Sequence, residues 1–360
     1  MGQLIIPRRK SYPPSRRPRH SLFRNRQQAD VGETFQHLIN VSGGKDSTAV
    51  YLLALEAGRP FRAVFADTGH EHELTYEFVS RLAERTGGPP VEVVRADFSG
   101  RLARHREYIL REWPKQGIPD AIVDEAAALN VPTGIPFLDL CICKGRFPSR
   151  MAQFCSEELK SLPITLQIVF PMLRNGPVLQ WLGIRAAESR NRAKLPFWNR
   201  HDSGCMLWRP IFRWSVDDVW SMHRRHGIAP NPLYALGMGR VGCMPCINCR
   251  KNELREIATR FPEHIERVAR WEAIVSATNK RRLSTFFAAL KDPMDVDRPG
   301  TYAGIHTVVE WSRTSRGGRQ YEMFFNGQTG SGCNSDLALC EWDEDRSLAI
   351  DLADIMPPAS

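Results

Sequence analysis

Residues 35–58, FQHLINVSGGKDSTAVYLLALEAG, decide the fold. A short apolar run leads into a turn with two glycines, and an apolar stripe at helical spacing follows, which predicts a strand, a loop and a helix. AVFA at 63–66 predicts a second strand, TYEFVSRLAERTGG at 75–88 the next helix, and VEVVRA at 91–96 a third strand. Strands that alternate with helices predict an α/β fold, in which helices cover both faces of a parallel sheet and ligands bind beyond the carboxyl ends of the strands.

The later segments are mainly helical in pattern. We expect helices over 101–130 and from about 252 to 279, with a buried strand, VLQWLGIR, at 178–185. Ser215 opens the segment SVDDVWSMHRRHG and is expected to cap a helix. After Pro299, β-branched and aromatic residues flank a Gly-Gly turn, which predicts a β-hairpin.

The composition is that of a globular protein. Among 360 residues, 42% are hydrophobic, and 49 Lys plus Arg against 40 Asp plus Glu give a net charge of +9. Disorder throughout and collagen-like repeats are excluded. No apolar run approaches the roughly 20 residues of a membrane-spanning helix. Because the N-terminus also lacks the continuous apolar segment of a secretory signal, we expect a cytoplasmic protein with no membrane partner.

The charge is concentrated at the two ends. Residues 1–30 hold eight Lys or Arg and one Asp in a proline-rich stretch, which predicts a disordered basic arm. Such an arm can neutralise phosphates on DNA or RNA, and a solvated tail without a dedicated partner is the equal alternative. Residues 341–360 hold six acidic residues and one Arg, which predicts an acidic tail.

The loop between the first strand and the first helix predicts a phosphate site. Its glycines let backbone amides approach an anion, the helix N-terminus adds partial positive charge, and a lysine adds a full charge. The spacing is neither that of a Walker loop nor GxGxxG. A capped strand-to-helix turn without a ligand is the alternative. The loop residues are Ser42, Gly43, Gly44, Lys45, Asp46, Ser47 and Thr48.

The nine cysteines indicate metal, cluster or redox chemistry, because no secretion signal favours disulfides. Cys243, Cys246 and Cys249 lie three residues apart in one segment, and thiolates are soft ligands for iron or zinc. A fourth ligand has to come from elsewhere. Cys205 is expected to be a buried thiol, while Cys141 and Cys143 have no assigned role.

The motif SGGKDS resembles the PP-loop of the adenine nucleotide α-hydrolase-like superfamily. Other segments, which with it span about residues 35–255, are similar to the phosphoadenylylsulfate (PAPS) reductase family and its DndC-like relatives in DNA phosphorothioation. These segments are ADTGHEHELTYEFV from Ala66, CSEELKSLP from Cys155, LGIRAAESRNRA from Leu182, WRPIFRWSVDDVW from Trp208 and NPLYALGMGRVGCMPC from Asn231.

The resemblance implies a Rossmann-like domain with a C-terminal extension. We expect the basic arm at 1–30, a PP-loop nucleotide-binding α/β domain at 31–235 and a cysteine-cluster and helical region at 236–295. A β-hairpin extension with the acidic tail would fill 296–360.

The resemblance also implies a nucleotide site for ATP or PAPS. Asp67 would contact the nucleotide or its Mg²⁺, for which Asp46 is a second candidate ligand, and Lys160 would lie near the same anion. Arginines of the GIR-x-x-ES-x-x-R motif would grip a sulfate or pyrophosphate. The motif contributes Arg185, Glu188, Ser189 and Arg192, and the expected catalytic residues are Lys45, Asp46, Asp67 and Arg185. His70, Glu71 and His72, in the adjoining loop, are expected to face solvent rather than a metal.

For the cysteines, the resemblance implies that Cys155 is the fourth ligand. Together with Cys243, Cys246 and Cys249 it would hold a [4Fe–4S] cluster, and a structural Zn²⁺ site is the alternative. PAPS reductases end in a nucleophilic cysteine in a Glu-Cys-Gly context. This chain has Cys340 between Leu339 and Glu341, which departs from that pattern, and Cys333 has no assigned role.

The implied function is an AMP-forming ATP pyrophosphatase of the DndC-like branch. It would activate a substrate for sulfur transfer, for example in the modification of a nucleic acid. A sulfur-donor protein would be its partner. The alternative is a thiol-dependent PAPS or adenylylsulfate reductase that produces sulfite with a thioredoxin-like partner. A third possibility is a non-catalytic nucleotide-sensing or nucleic-acid-binding protein.

Overall fold

The computed structural model of the chain describes residues 35–287 and 303–314. The described residues from Gln36 onward belong to one unit of the fold. The strands are β1 (Gln36–Asn40), β2 (Phe61–Asp67), β3 (Val91–Arg95), β4 (Val178–Trp181), β5 (Trp198–Arg200) and β6 (Met206–Trp208). The helices before β4 are α1 (Lys45–Glu56), α2 (Glu73–Ser80), α3 (Leu82–Thr86), α4 (Ser99–Glu112), α5 (Asp120–Leu129), α6 (Pro136–Lys144) and α7 (154–173). Those after β4 are α8 (Val216–Arg225), α9 (Pro232–Ala235), α10 (Lys251–Arg260), α11 (Pro262–Ala277) and α12 (Ile305–Arg313).

The strands form one six-stranded sheet in the order β3-β2-β1-β4-β6-β5. All neighbouring pairs are parallel except β5 with β6. At the centre, Ile39 of β1 lies opposite Ala63 of β2 and Trp181 of β4. The chain order reverses between β1 and β4, so the carboxyl ends of these two strands border the crevice where ligands of such sheets bind. The predicted α/β fold with a parallel sheet is therefore confirmed.

The apolar core has a sheet part and a helical part. Leu38 of β1 and Leu207 of β6 are fully buried in the cluster at the sheet. A larger cluster joins α6 to the cysteine segment and to α10, α11 and α12, with Phe137, Trp271 and Cys249 among its members. The cysteine segment therefore shares a core with α6.

Most predicted elements are confirmed, including the helix cap at Ser215, whose side chain accepts a hydrogen bond from the amide of Asp218 at 3.1 Å. The helical stretch over 101–130 is interrupted by Pro114, which begins a short 3₁₀ turn after α4. β5 and β6 were not predicted, because strands of three residues carry little pattern.

The predicted β-hairpin after Pro299 is wrong in its first half. The segment Ile305–Arg313 forms helix α12, because its buried residues Ile305, Val308 and Val309 recur at helical spacing and outweigh the β-propensity of the two valines. The Gly-Gly turn, the second half of the hairpin, the basic arm, the acidic tail, Cys333 and Cys340 all lie outside the described residues.

Candidate active site

The glycine loop joins the carboxyl end of β1 to the first turn of α1. The amide of Ser42 donates to the hydroxyl oxygen of Ser47 at 3.0 Å, and that hydroxyl donates to the carbonyl of Gly44 at 3.1 Å. Gly43 has φ +80°, and a Cβ there would lie 2.8 Å from a methyl carbon of Thr75. The left-handed backbone and the close approach both require glycine at this position.

Residues far along the chain brace this loop. The Tyr234 hydroxyl accepts a hydrogen bond from the amide of Lys45 at 2.9 Å, and Asn231 donates to the carbonyl of Gly43 at 3.3 Å. Nε2 of His223 lies 2.9 Å from the carbonyl oxygen of Lys45. Burial lowers the pKa of His223, so the ring is neutral and carries its proton on Nε2 toward that carbonyl. The loop is therefore held from α8 and α9 as well as from β1.

A buried ion pair links the loop to the segment after β4. The Asp46 carboxylate lies 2.5 Å from Nε of Arg185 and 3.5 Å from Nζ of Lys45, and at most 3% of each of these residues is exposed. Gly183 lets the two segments meet, since a Cβ on it would lie 2.9 Å from the amide nitrogen of Ser47. Two predicted catalytic groups 139 positions apart in sequence are thus in contact.

The remaining residues of the Arg185 motif extend this network. One Glu188 oxygen accepts from the amide of Arg185, and the other lies 2.6 Å from Arg192. The Ser189 hydroxyl accepts from the amide of Arg192 at 3.1 Å. Burial raises the pKa of Glu188 to about 7, although Arg192 opposes the shift. These contacts join five ionisable side chains in one buried network, namely those of Lys45, Asp46, Arg185, Glu188 and Arg192.

Asp67 ends β2 in a different set of contacts. One carboxylate oxygen accepts from the Tyr76 hydroxyl and from the amide of Gly69, both at 2.8 Å, and the other lies 2.7 Å from Nε of Arg95. Lys160 is buried within α7, and its charge acts on the ring of His70. The contacts of Asp67 join it to the loop after β2, whereas the charge of Lys160 makes only a small addition to the lowering of the His70 pKa, which burial dominates.

The expectation that His70, Glu71 and His72 face solvent is wrong. Their exposed fractions are 0%, 2% and 6%. The ring of His70 stacks on Phe137 at 4.5 Å, and burial lowers its pKa well below the usual range, so it is neutral. His72 instead caps α2, where its Nδ1 accepts from the amide of Leu74 at 3.0 Å. All three residues are structural parts of the core.

This loop also holds the cysteine segment. Glu71 and Cys243 form an antiparallel bridge, and the amide of Met244 donates to the carbonyl of His70 at 2.8 Å. Nε2 of His70 lies 2.8 Å from the carbonyl oxygen of Pro245 and donates to it. The Cys243 sulfur lies 3.6 Å from a carboxylate oxygen of Glu71. The cysteine segment is therefore fastened to the carboxyl end of β2.

The predicted ligand Cys155 and the cysteine segment are brought together. Asn248 reaches Gln153 at 3.5 Å, and Arg150 reaches the carbonyl of Cys249 at 3.5 Å. Cys155 packs against the same apolar cluster that contains Cys249.

Two further cysteines, Cys141 and Cys143, for which the sequence predicts no role, belong to or pack against the cluster that contains Cys249, and Cys141 lies near Cys155. Burial raises the pKa of Cys141, and the neighbouring thiols of Cys155 and Cys143 add to this effect. The spacing of Cys141 and Cys143 in sequence carries no signal of this proximity.

The donor set fits a soft metal centre. Cys246 accepts a hydrogen bond from the amide of Asn248 at 3.4 Å and another from Arg240. Arg240 also lies 2.9 Å from Glu253. Thiolates beside amide and cationic donors suit either an iron–sulfur cluster or zinc.

A second group of donors does not fit a metal. Atoms of His72, Glu73 and His264 lie within 4.8 Å of one another. However, Nδ1 of His72 already accepts from the backbone, and Nδ1 of His264 accepts from Arg267 at 2.5 Å. The latter bond puts the proton of His264 on Nε2, which faces Glu73 at 3.2 Å. The cation of Arg267 further opposes a metal ion, so this group is a structural cluster whose two histidines are already held by Leu74 and Arg267.

The fold and the site define a Rossmann-like α/β protein with a glycine loop after its first strand, and comparisons with known proteins give the family. The family model for the phosphoadenosine phosphosulfate reductase domain matches residues 36–116 and 155–249. These ranges contain the loop, the Arg185 motif and the four predicted cysteine ligands. The chain belongs to the phosphoadenosine phosphosulfate reductase family.

Several relatives are similar over different shares of the chain. An uncharacterized 37.8 kDa protein of Escherichia phage 186 is 43% identical, over 86% of this chain and 98% of that protein. The nin region protein ORF290 of phage lambda is 29% identical, over 44% of this chain and 51% of its own length. Adenosine 5'-phosphosulfate reductase of Allochromatium vinosum is 27% identical, over 52% of this chain and 58% of its own length. The chain thus spans little more than half of the latter two relatives.

A structural comparison returns a PAPS reductase from Candida auris, solved as a phosphate complex. It is 16% identical, covers 60% of this chain and 85% of its own, and has a TM-score of 0.36. Within the described residues, no helix combines the length and apolar character needed to cross a membrane.

Proposed function

We propose that the chain is an AMP-forming ATP pyrophosphatase that activates a substrate for sulfur transfer, and that it works in the cytoplasm. The observation that carries this proposal is the buried charge network beside the glycine loop. Lys45 and Arg185 place two buried cations beside the loop, and with the amides at the start of α1 they are the donors that a phosphate chain needs. Adenine nucleotide would therefore bind at Ser42–Thr48.

In the proposed reaction, an oxygen of the substrate attacks the α-phosphorus of ATP. The new oxygen–phosphorus bond forms an adenylate while the bond between the α-phosphorus and the bridging oxygen breaks, and pyrophosphate leaves. Lys45 and Arg185 would stabilise the negative charge that develops on pyrophosphate. Asp46 would act as a positioning residue, because its carboxylate orients Arg185. A sulfur nucleophile would then displace AMP.

Magnesium would reach this site with the substrate. Asp46 and Asp67 each have an arginine within 2.7 Å, so neither carboxylate is well placed to hold Mg²⁺ by itself. We expect Mg²⁺ to be bound through the phosphates of ATP.

For the metal centre, we propose Cys155, Cys243, Cys246 and Cys249 as ligands of a [4Fe–4S] cluster, with structural Zn²⁺ as the alternative. A bound cluster would supply electron transfer or sulfur relay. Purification under anaerobic conditions, followed by iron, zinc and acid-labile sulfide assays, distinguishes the two metals. Cys246→Ala should lose the metal, and Cys205→Ala, which removes a buried thiol in the sheet cluster, should keep it.

A second candidate function is supported by the adenosine 5'-phosphosulfate reductases among the relatives. It would reduce adenylylsulfate or PAPS to sulfite through a nucleophilic cysteine and a thioredoxin-like partner. Cys340 is the candidate nucleophile, although Glu341 and the other acidic residues beside it disfavour a thiolate.

The test is incubation with ATP and Mg²⁺. Pyrophosphate release that disappears in Lys45→Ala supports the first proposal, and sulfite release from adenylylsulfate or PAPS supports the second. Nucleotide binding without either product indicates a nucleotide sensor or a nucleic-acid-binding protein.

Deletion of residues 1–30 tests the basic arm, because unchanged salt-dependent affinity for DNA and RNA contradicts its proposed role.

A further inference from the structure

A cavity of about 510 Å³ lies away from the glycine loop. One wall comes from α4 and the turn after it, where Tyr108 and Trp113 present aromatic rings. The opposite walls come from the end of α6 and from residues 278–285, which follow α11. This volume lies in the range of small-molecule and nucleotide sites.

The cavity is strongly cationic. Lys144, Arg146, Lys280 and Arg281 line it, and none of the lining residues in the described part of the chain is acidic. Among the described residues, only one of the four, Lys144, has an ion-pair partner, which is Glu158 at 2.6 Å. Nζ of Lys280 donates to the neutral amide of Gln116. A cavity with this charge balance favours an anionic ligand.

The walls are held in place by hydrogen bonds and an ion pair. Asn279 donates to the carbonyl of Gly145 at 2.9 Å and so ties the segment after α11 to the end of α6. Arg282 lies 2.7 Å from Glu125 and donates to the carbonyl of Ala277 at 3.2 Å. The cations of the neighbouring Lys280 and Arg281 are therefore carried on an anchored segment.

The lining chemistry matches nucleic acid. Cations and the hydroxyls of Ser149 and Thr285 suit phosphate and sugar oxygens, and the ring of Tyr108 suits the apolar part of a nucleoside. Tyr108 is 39% exposed, so the cavity opens to solvent and a strand can enter and leave it. A double helix is too wide for a cavity of this volume.

We propose that this cavity binds a nucleotide unit of a single-stranded nucleic acid, with Lys280 and Arg281 as phosphate contacts. The site is separate from the basic arm at 1–30. It goes beyond the proposed function, because strand binding requires neither ATP turnover nor a metal centre. Cys143 also lines the cavity and, like Cys155, packs against the cluster that contains Cys249, so a bound strand would lie beside the cysteine region.

The test measures the fluorescence anisotropy of a labelled single-stranded RNA or DNA oligonucleotide with the full chain, without ATP, over a series of salt concentrations. The double variant Lys280→Ala/Arg281→Ala should bind more weakly. Its slope of log affinity against log salt should fall by about 1.4, because each phosphate contact on a single strand contributes about 0.7.

The matched control is Arg255→Ala/Arg260→Ala, which also removes two charges from half-exposed positions but outside the cavity. It should keep the wild-type slope, and the charge-conserving variant Lys280→Arg/Arg281→Lys should restore it. Thermal unfolding checks that every variant is folded. A wild-type slope in the double variant overturns the proposal. An effect on AMP or duplex DNA without one on the single strand also overturns it.

Discussion

Asp46 and Arg185 form a pair in which neither side chain reaches water. A buried charge that loses its partner keeps the cost of its desolvation, so such pairs act as rigid connections whatever their net contribution. Here the connection is between the loop after β1 and the segment after β4, the two sides of the ligand crevice. Arg185, which would bind phosphate, therefore also holds the two sides of the crevice together through Asp46.

Arg185→Ala should lower the free energy of unfolding by about 3 to 5 kcal/mol, because it leaves the Asp46 carboxylate buried without its arginine. Urea denaturation measures the change. Arg62→Ala is the control: it breaks the pair with Glu92, whose side chains are 41% and 39% exposed, and should cost only about 0 to 1 kcal/mol. Equal losses in the two variants would contradict the interpretation of Arg185.

Gly183→Ala should also disturb the loop. The added Cβ would meet backbone atoms of Asp46 and Ser47 at 2.9 to 3.0 Å, and backbone yields less than a side-chain end. We expect a loss of stability of about 1 to 3 kcal/mol and weaker ATP binding. In contrast, Gly100→Ala in α4 meets only the end of Arg104, at 3.6 Å, and should leave ATP binding unchanged. Calorimetric titration with ATP compares the two variants.

Helix α8 places His223 against the glycine loop, and the burial of this ring makes the free energy of unfolding depend on pH. Because burial lowers the pKa of His223, the folded state keeps the ring neutral while the unfolded state takes up a proton below about pH 6.5. His223 therefore stabilises the fold fully above that pH, and its contribution falls as the pH drops toward the lowered pKa.

His223→Gln should thus make the unfolding free energy less dependent on pH between the lowered pKa and about pH 6.5, by up to about 1.4 kcal/mol per pH unit. Above about pH 7.5 the two proteins should show parallel profiles, because the ring is then neutral in both states. Urea denaturation at a series of pH values provides the measurement. A variant as acid-sensitive as the wild type below about pH 6.5 would exclude this role for His223.

At the scale of elements, His70 connects the loop after β2 to the cysteine segment by its hydrogen bond to the carbonyl of Pro245. His70→Ala should cost about 2 to 4 kcal/mol, since it opens a space beside Phe137 and leaves the Pro245 carbonyl without its donor. It should also lower the iron bound per chain after anaerobic purification. His306→Ala, at a position that is 59% exposed, should change neither quantity. Normal iron content in His70→Ala would argue against a link between this loop and the metal centre.

The contrast between predicted and observed contacts has a physical basis. The parallel sheet and the glycine loop follow from local periodicity, so they were predictable. The contact between Asp46 and Arg185 was not predicted, because a resemblance to a family assigned both residues to one site without pairing them. The burial of His70 was not predictable, because a run of polar residues resembles an exposed loop and its cover comes from Pro245, 175 positions away. Helix α12 was misread because β-branched residues there also fit helical spacing.

At the scale of the whole molecule, nucleotide binding should raise the thermal stability of the protein. A ligand present at about one hundred times its dissociation constant adds about 2.7 kcal/mol to a protein that binds it only when folded. ATP should therefore raise the thermal midpoint of the full chain, and Lys45→Ala should abolish the shift. Calorimetry with and without ATP tests this, and a shift that persists in Lys45→Ala would place the nucleotide elsewhere.

The hydrogen bond between the amide of Lys45 and the hydroxyl of Tyr234 spans 189 positions. On the ribosome, the glycine loop emerges early, but the tyrosine that clamps it is translated much later. The nascent chain must therefore carry an unclamped loop while the next 189 residues are added. We expect a fragment that stops before α9 to contain the whole glycine loop and still fail to retain nucleotide. The ability to bind nucleotide would then arise only late in translation.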